Sequence, residues 1–372
     1  MTVLDAPPSD LAPRVASADY EDFAIPHGRE EEWRFTPLDA VRPFFAPAPD
    51  AGVLTAEPSE HVRVVDAADA PPAGWLPTDR SAAVAWSGAT RTVVVDVADE
   101  AVVTDPIVVE LRGSADVSYG RVQVRVGRHA RATVVVVHDT TVDTAGALVT
   151  EVADGGDLTV LSVFGGSPTG THLWHWPARV GRDARILAAQ VVIGGRVVRV
   201  LPSVSYAGPG GSAELIGAFL ADSGQHIEHR ILVDHDQPHC SSRVVYKGAL
   251  AGQTAHTVWV GDVIVRRAAV GIETYELNRN LLLDRGARAD SVPNLELETG
   301  DVVSAGHASA TGTFDEEQLF YLQARGIPAN VARQLVVRGF FVDVLARIPE
   351  GRWRDHVLQA IADRLHLSGG DE

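Results

Sequence analysis

From about Arg91 the chain breaks into short runs of valine and other β-formers, among them Thr92–Val97, Ile107–Leu111, Arg121–Val126 and Thr133–His138, separated by Gly, Asp and Ala. That spacing predicts a mainly β body over residues 86–313. A related phrase recurs at the turns: Val126-Gly127-Arg128-His129-Ala130-Arg131, Val180-Gly181-Arg182-Asp183-Ala184-Arg185 and Arg285-Gly286-Ala287-Arg288-Ala289. Each has a glycine turn, a small residue and a new strand, which fits the stacked rungs of a β-helix and equally the hairpins of a sandwich. From Phe314 the period becomes helical, predicting a C-terminal helical domain over 314–372. Asp315 with Gln318 reads as a capping box, Phe314 can staple onto Leu319, and Gly326 suits a left-handed stop. Pro328 then opens a second helix with Val337, Phe341, Val344 and Ile348 on one face before Pro349 ends it, and Val357, Ile361 and Leu365 form a third stripe. Val331, Leu335, Val336 and Phe340 lie on another side of the central helix, to pack on the β body or to face a partner.

The first 85 residues are punctuated by prolines and acidic residues and read as a mixed, partly helical N-terminal region and linker. Gly28–Leu38 is expected to open or close a helix, and Ala46–Pro77 to be a linker or a loosely packed subdomain.

Charge and counts narrow the function. A net charge of −17 over 372 residues gives nucleic-acid phosphates and anionic membranes nothing to bind. The start lacks a basic segment leading into an apolar one, and no stretch is apolar for the length of a bilayer, so a soluble, cytoplasmic protein is expected. One cysteine, Cys240, excludes an internal disulfide and an all-cysteine cluster site within one chain. Lys247 is the single lysine and follows Tyr246 rather than glycine, so the chain has no P-loop. Nucleophile elbows, H-E-x-x-H helices and dinucleotide glycine fingerprints are also absent.

The densest polar group is His226-Ile227-Glu228-His229 followed by His235, His239 and Cys240, with His256 further on. Imidazole and thiolate suit zinc or iron, which makes a His-rich metalloenzyme using His226, His229, His235 and His239 the alternative function. On a strand, however, His226 and His229 point to opposite faces, and Cys240 reads as a small buried hydrophobe. A polysaccharide-active β-helix enzyme is disfavoured by the lack of a carboxylate cluster on one strand face. Lys247 suits pairing with a carboxylate near a strand end. His307, in Ala305-Gly306-His307-Ala308-Ser309, reads from its residues alone as a surface or loop histidine.

Taken in order, His226 onward, Tyr246-Lys247-Gly248, Asn278-Arg279-Asn280-Leu281-Leu282-Leu283, Pro293-Asn294-Leu295-Glu296-Leu297, Gly306-His307-Ala308, Asp315 to Leu322 and Arg325-Gly326-Ile327 resemble the SufB/SufD family of iron-sulfur cluster assembly scaffolds. Arg29, Glu32, Trp33 and Leu38, with the length, are similar to the SufD branch rather than to the longer SufB. The resemblance implies a right-handed parallel β-helix with N- and C-terminal helical regions, and a non-catalytic role in a complex with SufB and the ATPase SufC. It implies that the C-terminal helices, with Leu319, Phe320, Tyr321, Arg325, Val336 and Phe340 as candidates, dock SufC. The β-helix would pair edge to edge with SufB, and its exposed edges also allow a homodimer of the isolated chain. It further implies that His307 helps to hold a nascent iron-sulfur cluster shared transiently with SufB, with no cofactor in the isolated chain. Many SufD sequences carry Cys-Ser-His-Gly where this chain has Ala305-Gly306-His307-Ala308, which leaves the imidazole as the ligand candidate there.

Overall fold

The computed structural model describes residues 15–314, 316–348 and 352–367. The expected capping box at Asp315 and Gln318, the Pro349 stop and the Leu365 side chain lie outside the described residues. After α1 (Leu38–Val41), β1 (Gly52–Thr55) and β2 (Val62–Asp66) lead to α2 (Arg80–Gly88) and β3 (Arg91–Val97). The chain continues through β4 (Ile107–Glu110), β5 (Arg112–Gly113), β6 (Val117–Val126), β7 (Arg131–Val137), β8 (Asp143–Val152), β9 (Asp157–Phe164) and β10 (Thr171–Val180). Next come β11 (Arg185–Val192), β12 (Val197–Tyr206), β13 (Ser212–Ala221), β14 (His226–His235) and β15 (Ser241–Leu250). The last strands are β16 (His256–Val265), β17 (Ile272–Leu282), β18 (Arg288–Leu297) and β19 (Val302–Thr313), and α3 (Glu316–Gln323), α4 (Ala329–Leu345) and α5 (Arg352–Leu367) follow.

Successive strands alternate between two sheets. One runs in the order β18-β16-β14-β12-β10-β8-β6-β1-β5, with β2 and β3 attached at its beginning, and the other runs β19-β17-β15-β13-β11-β9-β7-β4. From β6 onward the neighbours are parallel and in register, as in Thr171↔Val197 of β10 and β12 and Ser212↔Ser241 of β13 and β15. Hairpins produce antiparallel neighbours, so this pairing resolves the sandwich-or-helix alternative in favour of a parallel β-helix. The recurring glycine phrases are its stacked corners. The Gly127 N–H donates to Val97 O and the Arg128 N–H to Asp99 Oδ1; two rungs on, Gly181 donates to Val152 O and Arg182 to Asp154 Oδ1. A Cβ on Gly181 would lie 2.7 Å from Asp154 N, so this corner has no room for a side chain, although Ala153 and Ala207 make the same corner bond on the rungs either side.

Three apolar clusters divide the packing. Inward residues of both sheets, such as Val124, Leu158, Val200, Leu215, Ile231 and Val263, fill the lumen. Outward residues of the second sheet, including Val163, Val191, Ala218 and Val245, pack beneath Val337, Phe341, Val344, Ile348, Val357 and Ile361, the stripes expected from the helical period. On the opposite side, Trp33, Phe44, Phe45, Val84 and Ala85 cover Tyr119, Ala145, Leu173 and Val197 of the first sheet. Strands covered on both faces read as near-continuous apolar runs, which is why β13 shows no clean alternation.

One N-terminal expectation changes. Ala46–Pro77 contains β1, paired parallel to β6, and β2, paired antiparallel to β3, so this Pro- and Ala-rich stretch joins the sheet rather than linking two bodies. Gly28–Leu38 is mostly turns and opens the short α1 at its last residue, with Pro37 as N-cap and Trp33 buried.

The two ends of the β-helix differ. At the N-terminal end the first sheet finishes on antiparallel pairs, β1 with β5 and β2 with β3. At the C-terminal end β18 and β19 are each paired on one side only, and their residues are mostly exposed or half-buried, with Val303 72% exposed. The corner geometry carries a stability prediction: Gly181→Ala should cost roughly 1–3 kcal/mol in urea unfolding. Gly300→Ala, whose Cβ meets nothing within 4 Å, should be near neutral; equal effects of the two would contradict the stacked-corner account.

Candidate functional site

The histidines singled out by sequence do not converge. His226 faces outward, bonded to Glu228 at 3.3 Å and to the His256 ring at 3.1 Å, whereas His229 points into the lumen between Phe219 and Tyr246. The odd spacing on β14 has the consequence expected of a strand. His235 is also in the lumen, stacked on Tyr206 and bonded to Ser242 Oγ at 2.9 Å. Burial pushes the His229 ring down to about 3 and that of His235 to about 4, so both are neutral packing groups at pH 7. His239 occupies a corner with φ 59°, and Cys240 beside it is 1% exposed, its thiol raised by burial and therefore protonated. Among the described residues no three His, Cys, Asp or Glu side chains lie close enough to hold a metal.

His226 belongs instead to an ionic chain that fixes the N-terminal region to the first sheet. Asp290 accepts from His256 at 2.7 Å, and His256 meets His226, which reaches Glu228. Glu228 also accepts from Thr36 at 2.7 Å and from Arg199 at 3.4 Å. Arg199 continues to Asp79 at 3.3 Å, donates to Glu32 O and lies 4.0 Å over the Trp33 ring. Asp79 caps α2 through the Ala82 N–H and accepts from His175 at 3.0 Å. Burial opposes ionisation of both acids but is outweighed. Arg199, His226 and Arg230 hold Glu228 down to about 2, and His175, Arg199 and the Ala82 N–H hold Asp79 far below the usual carboxylate range.

The second polar region is the lumen at its C-terminal mouth. Along β17 the inward positions are Ile272, Thr274, Glu276, Asn278 and Asn280, alternating with Glu273, Tyr275, Leu277 and Arg279 outside. In-register parallel neighbours point the same way, so His307, opposite Glu276, faces the mouth, with Ser309 and Thr311 opposite Asn278 and Asn280. The asparagines knit this end together. Ser291 donates to Asn278 Oδ1 at 2.7 Å, and Asn280 Nδ2 lies 2.9 Å from Asn278 Oδ1, 3.1 Å from Ser291 Oγ and 3.3 Å from Thr311 Oγ1. The Asn278-Arg279-Asn280 motif is thus a cross-lumen bracket. His307 itself is exposed on the edge strand. Sequence reasoning missed Glu276, a charged residue in the inward phase of a strand that elsewhere on that face uses Ile, Thr and Asn. Burial, with help from Asp262, raises its carboxyl to about 8.

At the helical end Lys247 points outward from β15, 2.6 Å from Asp343 and 2.8 Å from Phe340 O, so the single lysine pins α4 to the β-helix as its strand-end position suggested. Phe340 is half-buried beside it, and Val336 and Leu319 are also half-buried. Phe320 and Tyr321 are 71% and 56% exposed, and the exposed Arg325 lies over the Tyr321 ring. No helix among the described residues is long and apolar enough to cross a membrane.

A parallel β-helix with helices at both ends, an unpaired final rung and a histidine at its mouth defines the class. Residues 109–340 match the SufBD core domain of the SUF system for FeS cluster assembly, and the chain belongs to that family. It is 44% identical over 371 residues, 96% of this chain and 94% of the relative, to an iron-sulfur cluster assembly SufBD family protein of Mycobacterium tuberculosis H37Rv. A SufBD family protein of Mycobacterium leprae is 42% identical over 95% of this chain and 94% of its own length. The iron-sulfur cluster assembly protein SufD of Escherichia coli is 26% identical over 54% of this chain and 47% of its own length.

Two measurements follow from these buried groups. Glu276 binds its proton more tightly folded, at about 8, than unfolded, near 4.5, so its contribution to stability falls by roughly 1 kcal/mol per pH unit as pH rises between those values. Glu276→Gln should therefore match the parent at pH 5 and exceed its melting temperature at pH 8; parallel pH profiles would refute the buried acid. Arg199→Met leaves Asp79 and Glu228 without their shared cation and should cost about 3–5 kcal/mol in urea unfolding at pH 7. The loss should shrink at low pH, where both carboxyls can take up protons.

Proposed function

We propose that this chain is the SufD-like, non-catalytic half of a cytoplasmic two-chain scaffold for iron-sulfur cluster assembly. A SufB-type chain pairs along the free β18–β19 rung, and a SufC-type ATPase docks on the C-terminal helices. The observation that carries the reading is the end rung. It leaves two strands with one partner each, and it sets His307 at the mouth of a lumen whose last positions turn polar. An unpaired strand edge is a template for strand addition by another chain. The relatives named for iron-sulfur cluster assembly support the cargo.

The cysteine count supports the division of labour. Cys240 is buried and protonated, so a cluster bound here draws its thiolates from the partner while this chain contributes an imidazole. No bound cofactor is expected in the isolated chain, and the same edge would serve for a homodimer when the partner is missing. Exposed Phe320, Tyr321 and Arg325 on α3 and the turn after it, with Leu319 and Val336, are offered to the ATPase; the chain's lack of a P-loop makes that partner necessary for ATP hydrolysis. Phe340 contributes from its place between α4 and Lys247.

Co-expression with SufB- and SufC-type partners should yield a complex that survives purification, and recovery of this chain alone would refute the scaffold reading. Within that complex, His307→Ala should leave assembly of the subunits intact and reduce anaerobic cluster formation at least tenfold by absorbance. Equal yields would remove the imidazole from the site while leaving the scaffold assignment in place.

A further inference from the structure

Glu276 is the anomaly of the lumen. It is 1% exposed, and neither of its carboxyl oxygens has a hydrogen-bond partner, although Asn278 and Asn280 on the same strand face are bonded to Ser291 and Thr311. One rung back the in-register position is Val244, an apolar residue buried in the lumen, so the site accommodates a hydrocarbon side chain where the acid now stands. Burying an unpartnered acid costs stability that an aliphatic residue would not.

The group facing it is an aromatic ring rather than a polar partner: a Cβ on Gly261, across the lumen on β16, would run into the Trp259 indole and lie 3.0 Å from Glu276 Oε1, so the glycine makes room for that ring. Its strand otherwise turns Thr257, Trp259, Val263 and Val265 to that side, and the Trp259 indole N–H is likewise without a partner. The next position toward the open edge, in register with Glu276, is His307, whose ring forms no hydrogen bond among the described residues. A carboxyl group and an imidazole thus stand in register on adjacent strands of one face, neither with a hydrogen-bond partner among the described residues, the first buried in the lumen and the second exposed at its mouth.

We propose that Glu276 and His307 form a carboxylate–imidazole donor pair that takes a divalent first-row transition-metal cation at the lumen mouth, its remaining donors supplied by the chain paired across the β18–β19 edge. The inference rests on the cluster-assembly reading above, in which that cation is ferrous iron. Oxygen and imidazole nitrogen are suited to iron(II) and cobalt(II). Two donors from one chain give a weak site, which agrees with the absence of a converging triad among the described residues. Glu276, on the rung below, gives up to solvent the proton it holds when the site is empty as the cation binds, and so supplies the negative charge that a neutral imidazole does not provide.

The test is an anaerobic cobalt(II) titration of the copurified complex, followed by its visible ligand-field bands. Wild type should bind with a defined spectrum. Glu276→Gln and His307→Ala should each weaken binding at least tenfold and shift the bands, while Glu60→Gln, on an exposed loop, should change neither. If Glu276→Gln binds cobalt as wild type does with an unchanged spectrum and His307→Ala does not, Glu276 is not a donor, the proposal is overturned and the cluster-assembly reading stands. If both variants bind as wild type and assemble clusters normally, the proposed site falls with it. Should Glu276→Gln fail to form the complex, Glu276→Asp decides: bound cobalt with shifted bands supports the donor role, and unchanged bands overturn it.

Discussion

Each rung of the β-helix satisfies its backbone N–H and C=O groups by lying in register on the rung before it, so the two sheets must end on strands whose outer row of groups faces away from the molecule. At the N-terminal end the first sheet turns back on itself in the antiparallel pairs of β1 with β5 and β2 with β3, while the second sheet ends on the four-residue β4. The C-terminal end has no such turn and finishes on two long strands. β18 and β19 keep one partner each while Tyr275, Leu297 and Val303 remain exposed beside them. The same in-register stacking carries side chains in rows, and the row Leu215, Val244, Glu276, His307 passes from apolar packing to an ionisable pair within the last two steps.

The lateral faces are closed in two different ways. On the second sheet the helices bury an apolar stripe, with Lys247 and Asp343 fixing α4 and Arg347 paired to Glu214 further along. On the first sheet an apolar patch is joined to the buried chain Asp79–Arg199–Glu228–His226, in which every charge meets an opposite charge or a hydrogen-bond donor. Ion pairs of this kind contribute little net stability compared with apolar packing, yet they admit one geometry and penalise others. They therefore suit the task of holding the irregular segment around Trp33 and Thr36 in a single position.

Much of this was legible in the chain because the β-helix writes itself as a repeat. The phrases at Gly127, Gly181 and Gly286 marked its corners, and the Val337, Phe341, Val344 and Ile348 spacing marked the helix face that is buried. What the repeat could not reveal was which strands neighbour which, so a sandwich stayed open until pairing was seen. The first sheet's early members were hidden because β1 and β2 are short and sit among prolines and alanines, whose composition resembles a linker. Of the candidate site, the opposite faces of His226 and His229 followed from strand geometry, and the place of Lys247 from its chemistry. Glu276 was invisible for a different reason. Its inward phase needs the register of β17, and its lack of partners is a property of the opposite sheet, where the Trp259 indole lies over Gly261 beside it.

A closed enzyme site and this mouth differ in where the unsatisfied groups lie. In the body of the β-helix the lumen histidines are held neutral against aromatic rings and Ser242 or Ser162, so their polarity is internal to the packing. At the last two rungs, Glu276 and His307 lack such partners, and the one thiol is protonated in a corner at Cys240. Nitrogen and oxygen donors are thus gathered at an edge with unpaired backbone groups, and sulfur is kept away from it. A chain arranged in this way is chemically incomplete at the place where its hydrogen bonding is also incomplete, and a partner rung of two strands carrying thiolates would satisfy both.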